Sequence, residues 1–101
     1  IAVNAENEPQ KSGVGWDDLS SFVQEVAELK ALRILGLMAV PPAQYSDEAG
    51  EVPALYRKLA EAARSVGEGR LNLGMSRDLH IAVLAGADLV RIGRDLMGER
   101  A

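Results

Sequence analysis

The order of secondary-structure elements is clearest in residues 71–93, which read LNLGMSRDLHIAVLAGADLVRIG. The apolar run 71–73 predicts a short strand, and the run 88–92 predicts another one. Between them, apolar residues recur at helical spacing, at Leu79, Ala82 and Val83. Ser76 precedes this helical face and is a good N-cap, because its hydroxyl can accept a hydrogen bond from a free N–H of the first turn. This stretch therefore predicts a strand, a helix that begins after Ser76, and a second strand.

The same alternation extends toward the amino terminus. Residues 1–4 and 34–40 are apolar runs, and Pro41-Pro42 ends the second one because proline has no N–H to donate to a sheet. Apolar residues at helical spacing follow each run, over 17–27 and 52–63. Strands that alternate with helices in this way are parallel and are joined by helical crossovers.

We therefore expect an α/β fold of four βα units with parallel strands, which is half of an eight-unit TIM-like (β/α)8 barrel. A complete barrel needs about 250 residues, and this chain has 101 residues, so residues 1–101 are expected to form a single partial domain. The chain opens on Ile1 inside an apolar run, which predicts that a natural segment precedes it. The structural alternative is a doubly wound open sheet, but the glycine-rich fingerprint after the first strand is missing.

The composition argues against several classes of protein. Hydrophobic residues make up 48% and charged residues 26% of the chain, which is ordinary globular usage. The net charge is −4 and the basic residues are scattered, so we expect no nucleic-acid partner. The chain has no cysteine and one histidine, which leaves little for a metal site. No apolar run approaches the ~20 residues that span a bilayer, and no signal peptide opens the chain, so we expect a cytoplasmic protein without a membrane partner.

Two predicted turns from strand to helix could bind an anion. The first is 73–76, LGMS, and the second is 90–94, VRIGR. Each places a glycine, Gly74 or Gly93, where a helix begins and its free N–H groups favour negative charge. In (β/α) barrels, phosphate commonly sits at the loops after the last two strands, beside a short extra helix. The alternative is that both glycines serve turn geometry alone and that Ser76 is only a cap.

Arg91 interrupts an otherwise apolar strand. Residues two apart share one face of a strand, so Arg91 and Gly93 are expected to face the same ligand. A guanidinium is always charged and donates in a fixed plane, and it could meet a phosphate, a carboxylate or a pyridine nitrogen. The alternative is a structural salt bridge to Asp88 or Asp95.

Other residues have less specific interpretations. Met38, near the end of an apolar strand, is either a core residue or part of the lining of a site. Lys11 lies in a polar loop where nothing buries it, and we interpret it as non-catalytic. The loop acids are interpreted as solvated, namely Glu6, Glu8, Asp47, Glu48 and Glu51.

Several motifs occur in a fixed order along essentially the whole chain. They are Val3-Asn4, Lys11-Ser12-Gly13, LGLMAVP at 35–41, LGMSRD at 73–78, VRIG at 90–93 and GER at 98–100. Together they resemble the pyridoxal 5′-phosphate (PLP) homeostasis proteins, the YggS/PROSC family, which are relatives of the alanine racemase barrel. The resemblance implies one (β/α)8-like barrel that carries, buffers and delivers PLP without an established catalytic reaction.

The resemblance also assigns roles to residues. Ser76, with the backbone of Gly74 and Met75, matches one side of a phosphate cup, and Gly93 with Arg94 matches the other side. Arg91 matches the position that approaches the pyridine nitrogen, where its fixed positive charge would keep that nitrogen unprotonated. Met38 is included among the residues that line the cofactor site.

Two departures from the family pattern affect this assignment. The family usually has threonine at position 94, where this chain has Arg94. The Schiff-base lysine of the family lies in the N-terminal half, and this chain resembles the C-terminal half alone. We therefore expect its partners to be PLP and either the missing half or a second half-barrel. The alternatives are a fragment of a racemase-like PLP enzyme and a half-barrel that binds another phosphorylated metabolite. The enzymes usually add a further domain, and this chain stops at Ala101, which favours the carrier.

Overall fold

A computed structural model of the chain describes residues 1–93 and residue 96. Its elements are β1 (Ala2–Val3), α1 (Trp16–Ala27), β2 (Gly36–Ala39), a 3-10 turn (Asp47–Ala49), α2 (Ala54–Ala63), β3 (Arg70–Asn72) and α3 (Leu79–Ala85). No helix in this described part is long and apolar enough to cross a membrane.

The three strands form one parallel sheet in the order β1-β2-β3. Ala2 pairs with Met38, and Met38 pairs in turn with Asn72 of β3. The predicted parallel α/β class with strands in sequential order is therefore confirmed for these three strands. Each crossover contains a helix, α1 before β2 and α2 before β3.

The structure corrects the prediction of a fourth strand. Within the described residues, 88–92 forms only one isolated parallel bridge, between Leu89 and Asn72. Continuation of the ladder would join the Arg91 N–H to the carbonyl of Leu73, but it donates to Gly74 instead, at 2.8 Å. Gly74 has a φ of 112°, so the backbone of the segment that follows β3 turns away there and the register with residues 88–92 is lost. The four predicted βα units are thus three units and a single bridge.

The start of α3 also differs from the prediction. Ser76 was expected to cap the helix, but residues 76–78 form a turn and the helix begins at Leu79, with Asp78 in the N-cap position. The physical reason lies in the side chain of Asp78, which closes the turn by accepting a hydrogen bond from the Met75 N–H at 2.8 Å. Ser76 therefore lies inside a closed turn instead of at a helix end.

The hydrophobic core lies between the helices and one face of the sheet. Leu37, Leu71 and Leu73 are buried there against α2 residues that include Tyr56 and Leu59. Because side chains alternate across a strand, the opposite face carries its own row. We call this row, Ala2, Met38, Asn72 and Leu89, the open face. Asn72 and Met38 are half-buried and Leu89 is exposed, since no described helix covers this side.

Candidate functional site

The turn that follows β3 is shaped by glycine and closed by aspartate. Gly74 adopts a φ of 112°, and a Cβ atom added there would lie 2.7 Å from the Cβ of Ala82 in α3. Only glycine fits this position without displacing the helix. The Met75 N–H was expected to point into a phosphate cup, and this expectation is wrong because that N–H donates to Asp78 Oδ1. We call residues 74–78 the phosphate turn, after the role that the sequence predicts for it.

The carboxylate of Asp78 joins the phosphate turn to the helix layer. Asp78 is 2% exposed, and its second oxygen accepts a hydrogen bond from the hydroxyl of Tyr56, which is fully buried. Burial raises the pKa of Tyr56 well above its ordinary value, and the hydrogen bond to Asp78 raises this pKa further. The Tyr56 hydroxyl therefore stays protonated at physiological pH and serves as a permanent donor to Asp78.

The loop after β2 reaches across to the start of α3. Asp47 accepts hydrogen bonds from the N–H groups of His80 at 3.1 Å and Ile81 at 2.9 Å. The Asp47 N–H in turn donates to the carbonyl of Arg77 at 3.0 Å. The interpretation of Asp47 as a solvated loop acid is wrong, because its carboxylate caps the first turn of α3. A carboxylate of the same chain therefore occupies two N–H groups of the first turn of α3.

Tyr45 links this loop to two further segments. The carbonyl of Tyr45 accepts from Arg77 Nε at 3.0 Å, and its hydroxyl donates to Glu6 at 2.9 Å. The hydrogen bond to Glu6 raises the pKa of Tyr45. Its ring also packs edge-on against Tyr56, with centroids 5.6 Å apart. The loops that follow β1, β2 and β3 are thus tied together at the carboxyl ends of the strands.

Arg91 extends over the open face of the sheet. Its Nε donates to the Asn72 side chain at 3.0 Å, and its Nη2 donates to the carbonyl of Ala39 at 2.8 Å. Because Ala39 ends β2, these two contacts hold the guanidinium at the carboxyl end of the sheet. The alternative salt bridge to Asp88 does not form: Asp88 pairs with Arg64 at 3.2 Å. The other alternative partner, Asp95, lies outside the described residues.

Comparison with curated proteins gives one consistent family. A relative from Aquifex aeolicus is 37% identical over 106 residues, covering 99% of this chain and 46% of its own length. One from Deinococcus radiodurans is 44% identical over 89 residues, covering 88% of this chain and 41% of its own length. One from Escherichia coli K12 is 36% identical over 105 residues, with shares of 99% and 44%. All three carry the name pyridoxal phosphate homeostasis protein.

The chain belongs to the pyridoxal phosphate homeostasis protein family. It spans less than half the length of the curated relatives that it matches. A scan against family models gave no match.

The second side of the predicted phosphate cup consists of Gly93 and Arg94, and the structure describes only Gly93 of these two. Gly93 is exposed, and nothing lies within 4 Å of the position that a Cβ atom would take there. Arg94, predicted beside it, lies outside the described residues. Val90 approaches Gly74, with its Cγ1 atom 3.3 Å from the Cβ position of that glycine. The structure thus brings the two predicted glycine turns next to each other, and the roles of Ser76, Gly93 and Arg94 in binding remain predictions.

Met38 and Lys11 lie on the same side of the sheet as Arg91. Met38 lines a cleft of about 350 Å³ along the open face and a second one of about 310 Å³ near the carboxyl end. Lys11 lines the second cleft, donates to the carbonyl of Val40 at 3.1 Å and pairs with Glu8 at 3.1 Å. Two basic side chains therefore bind consecutive carbonyls, those of Ala39 and Val40, at the end of β2.

Sequence reasoning missed the residues that fix the phosphate turn. Asp78 could have been found locally, because an acidic side chain can reach back to the backbone N–H three residues earlier, as it does in a capping box. Asp47 and Tyr56 carry no such signal, since their contacts to the turn region span 33 and 22 residues.

Proposed function

We propose that this chain holds pyridoxal 5′-phosphate as part of a non-catalytic protein of cofactor homeostasis, a carrier or reservoir. Support comes from the relatives, which are named for homeostasis of this cofactor and not for a reaction. Support also comes from the geometry at the carboxyl ends of the strands, where ligands of parallel α/β folds bind. The observation that carries the proposal is the Arg91 guanidinium, held over the open face close to the turn that follows β3.

The surroundings of Arg91 fit a pyridine ring. Two of its nitrogens are held by Asn72 and Ala39, and no described residue accepts a hydrogen bond from Nη1. We propose that Nη1 donates to an acceptor of the ligand, such as the ring nitrogen. A fixed positive charge beside that nitrogen disfavours its protonation. PLP supplies an aldehyde that reacts with amines and a ring that withdraws electrons, and an unprotonated ring withdraws them less. This environment suits a carrier better than an enzyme that depends on a strong electron sink.

The phosphate group is assigned to the phosphate turn and to the start of the segment after Gly93. Ser76 is half-buried within the turn, between Met75, whose N–H is bound by Asp78, and Arg77, whose carbonyl is bound by Asp47. Both neighbours are thus fixed, which suits a residue that has to present its hydroxyl and N–H in a constant direction. Gly93 and Arg94 are proposed to complete the cup from the adjacent turn, with Arg94 in place of the usual threonine.

The remaining part of the site is proposed to come from outside this chain. The relatives are more than twice as long as the aligned segment, and we assign the Schiff-base lysine of the family to their N-terminal half. That half would complete a (β/α)8 barrel and cover the open face with its Met38 and Asn72. On this reading the present chain supplies the phosphate cup and the arginine, and the other half supplies the lysine.

The proposal is tested by separating the two ends of the cofactor. In the full-length protein that contains this chain, Ser76→Ala should weaken the binding of PLP and of inorganic phosphate by about 5-fold or more, the equivalent of one hydrogen bond to a charged group. Arg91→Ala should change the absorbance spectrum of bound PLP and its pH dependence, and should leave phosphate affinity nearly unchanged. Ser20→Ala, at an exposed serine of α1, is the matched control. Unchanged binding of both ligands in Ser76→Ala would place the cup elsewhere.

A further inference from the structure

The segment Tyr45–Asp47, in the loop after β2, forms hydrogen bonds with the phosphate turn and with the start of α3. Asp47 binds the N–H groups of His80 and Ile81 just after the turn, and its own N–H binds the carbonyl of Arg77 within it. Arg77 returns a hydrogen bond from Nε to the carbonyl of Tyr45. The loop after β2 is therefore joined to the phosphate turn by two hydrogen bonds and to the first turn of α3 by two more.

These contacts fix the part of the phosphate turn that Asp78 does not fix. Asp78 closes the turn from Met75 and anchors it to Tyr56 of α2. Asp47 holds the carbonyl of Arg77 and the helix start that follows. Loss of the Asp47 side chain would leave two N–H groups of α3 without their acceptors. The backbone hydrogen bond from residue 47 to the carbonyl of Arg77 would remain.

We propose that Asp47 is a positioning residue that sets the affinity of the site for the phosphate group of its ligand, and not for the ring. The inference rests on the proposed function, because it presupposes that Ser76 and its turn bind phosphate. The carboxylate of Asp47 acts through the first turn of α3, which directly follows the phosphate turn, and needs no contact with the ligand.

A carboxylate near a phosphate site also has an opposing effect, because like charges repel. The two effects have different chemical requirements. Positioning needs an acceptor for each of the two N–H groups: each oxygen of Asp47 accepts one, and asparagine keeps a single acceptor oxygen and therefore one of the two hydrogen bonds. Repulsion needs the negative charge, which asparagine lacks. Asp47→Asn and Asp47→Ala therefore separate the two effects: positioning predicts a loss of phosphate affinity that is smaller in the asparagine variant than in the alanine variant, whereas repulsion predicts a gain in both variants.

The experiment compares PLP with pyridoxal, which has the same ring and aldehyde but no phosphate. Dissociation constants for both ligands are measured by absorbance titration of the full-length protein. The matched control is Glu48→Ala, which removes one negative charge from an exposed neighbour in the same 3-10 turn. We expect Asp47→Ala to weaken PLP binding by roughly 5-fold, the usual cost of a lost helix cap, with pyridoxal affinity within about 2-fold of wild type. Glu48→Ala should keep the wild-type ratio of the two affinities, and Asp47→Asn should lower that ratio by less than Asp47→Ala does.

Three results would overturn the inference. Equal weakening of PLP and pyridoxal in Asp47→Ala means that Asp47 supports the fold in general. A gain in PLP affinity in both Asp47 variants means that charge repulsion dominates. If the wild type binds PLP and pyridoxal equally and Ser76→Ala leaves both affinities unchanged, the proposed phosphate cup itself is wrong. That outcome contradicts the proposed function and is distinct from the first two results.

If Asp47→Ala does not fold, as judged by far-UV circular dichroism, Arg77→Lys decides the question. Lysine keeps the positive charge but cannot reproduce the hydrogen bond from Nε to Tyr45. The affinity ratio of PLP to pyridoxal should fall in this variant as well, and an unchanged ratio would contradict the inference.

Discussion

Gly74→Ala is expected to be among the most destabilising small substitutions in this chain. The residue has a φ of 112°, which side chains of L-residues rarely adopt, and its added Cβ would lie 2.7 Å from the Cβ of Ala82. The Ala82 methyl cannot swing aside as the end of a flexible side chain could, because it is bonded directly to the backbone of α3. The helix or the phosphate turn must therefore move.

The magnitude follows from two separable contributions. The backbone conformation alone costs about 1–2 kcal/mol for a residue with a Cβ atom. Forcing a methyl group into a packed region costs about 1–3 kcal/mol more. Together they lower the free energy of unfolding by about 2–5 kcal/mol, a large part of the ~5–15 kcal/mol that stabilises a typical domain.

Gly50→Ala provides the control, because Gly50 has a φ of 76° and nothing lies within 4 Å of its Cβ position. Urea unfolding of the full-length protein should show the backbone cost alone for Gly50→Ala and both costs for Gly74→Ala. Adding Ala82→Gly to Gly74→Ala should recover part of the loss, since it removes the contacting methyl group. If Gly74→Ala destabilises the protein no more than Gly50→Ala does, the contact between residue 74 and Ala82 does not limit stability.

Two further predictions concern hydrogen bonds to carboxylates, one of which is buried and one exposed. Tyr56→Phe leaves the 2% exposed carboxylate of Asp78 without one hydrogen-bond donor. It should lower the free energy of unfolding, measured by chemical denaturation, by about 1–3 kcal/mol. The control is Tyr45→Phe, whose hydroxyl pairs with Glu6 at the surface, and an equal or larger loss in the control would contradict the prediction. The hydrogen bond from the Leu71 N–H, followed by that from Arg64, lowers the pKa of Asp88. A lowered folded-state pKa stabilises the fold above the unfolded pKa of about 3.9, and this contribution is lost as the pH falls through the folded value. Asp88→Asn should thus be less stable than wild type at neutral pH and approach it in strong acid, and a constant difference from pH 7 to pH 2 would exclude the linkage.

The parallel strands and their crossovers could be predicted because their signals are local. The apolar positions of α1 recur at helical spacing from Asp17 onward, and the helix is observed over Trp16–Ala27. The run that ends at Pro41 contains β2, although the strand itself is limited to Gly36–Ala39. Periodicity and breakers reveal which segments become strands or helices, and the order of elements then gives the parallel sheet.

The fourth strand was not predictable in the same way. Its apolar residues, including Leu89 and Val90, satisfy the pattern of a strand as well as those of β2 do. What ends the ladder is the backbone of Gly74 in the neighbouring segment, where the carbonyl direction changes. Strand formation at 88–92 thus depends on a partner residue, and a pattern read along a single segment does not contain that information.

The anchoring of the phosphate turn was missed for a related reason. A loop aspartate such as Asp47 has the same local pattern whether it is solvated or caps a helix elsewhere. The contact that gives it a role joins residues 33 positions apart and arises only when β2 and β3 become neighbours in the sheet. The position of Arg91 was accessible, since a charge in an apolar strand requires a polar partner, but the identity of its partners was not.

The two parts of the proposed site are held from opposite sides of the sheet. The phosphate turn is fixed on the helix side, by Tyr56 of α2 and by the packing of Gly74 on Ala82 of α3. Arg91 is fixed on the open face, by Asn72 and Ala39. Contacts within this chain are therefore sufficient to shape the turn, whereas the guanidinium faces the side that the remainder of the protein is proposed to cover.

It follows that substitutions in the helix layer should act on the phosphate end of the ligand and substitutions on the open face on its ring. This separation is the reason that the comparison of PLP with pyridoxal is informative for Asp47, whereas the absorbance spectrum is the appropriate measurement for Arg91.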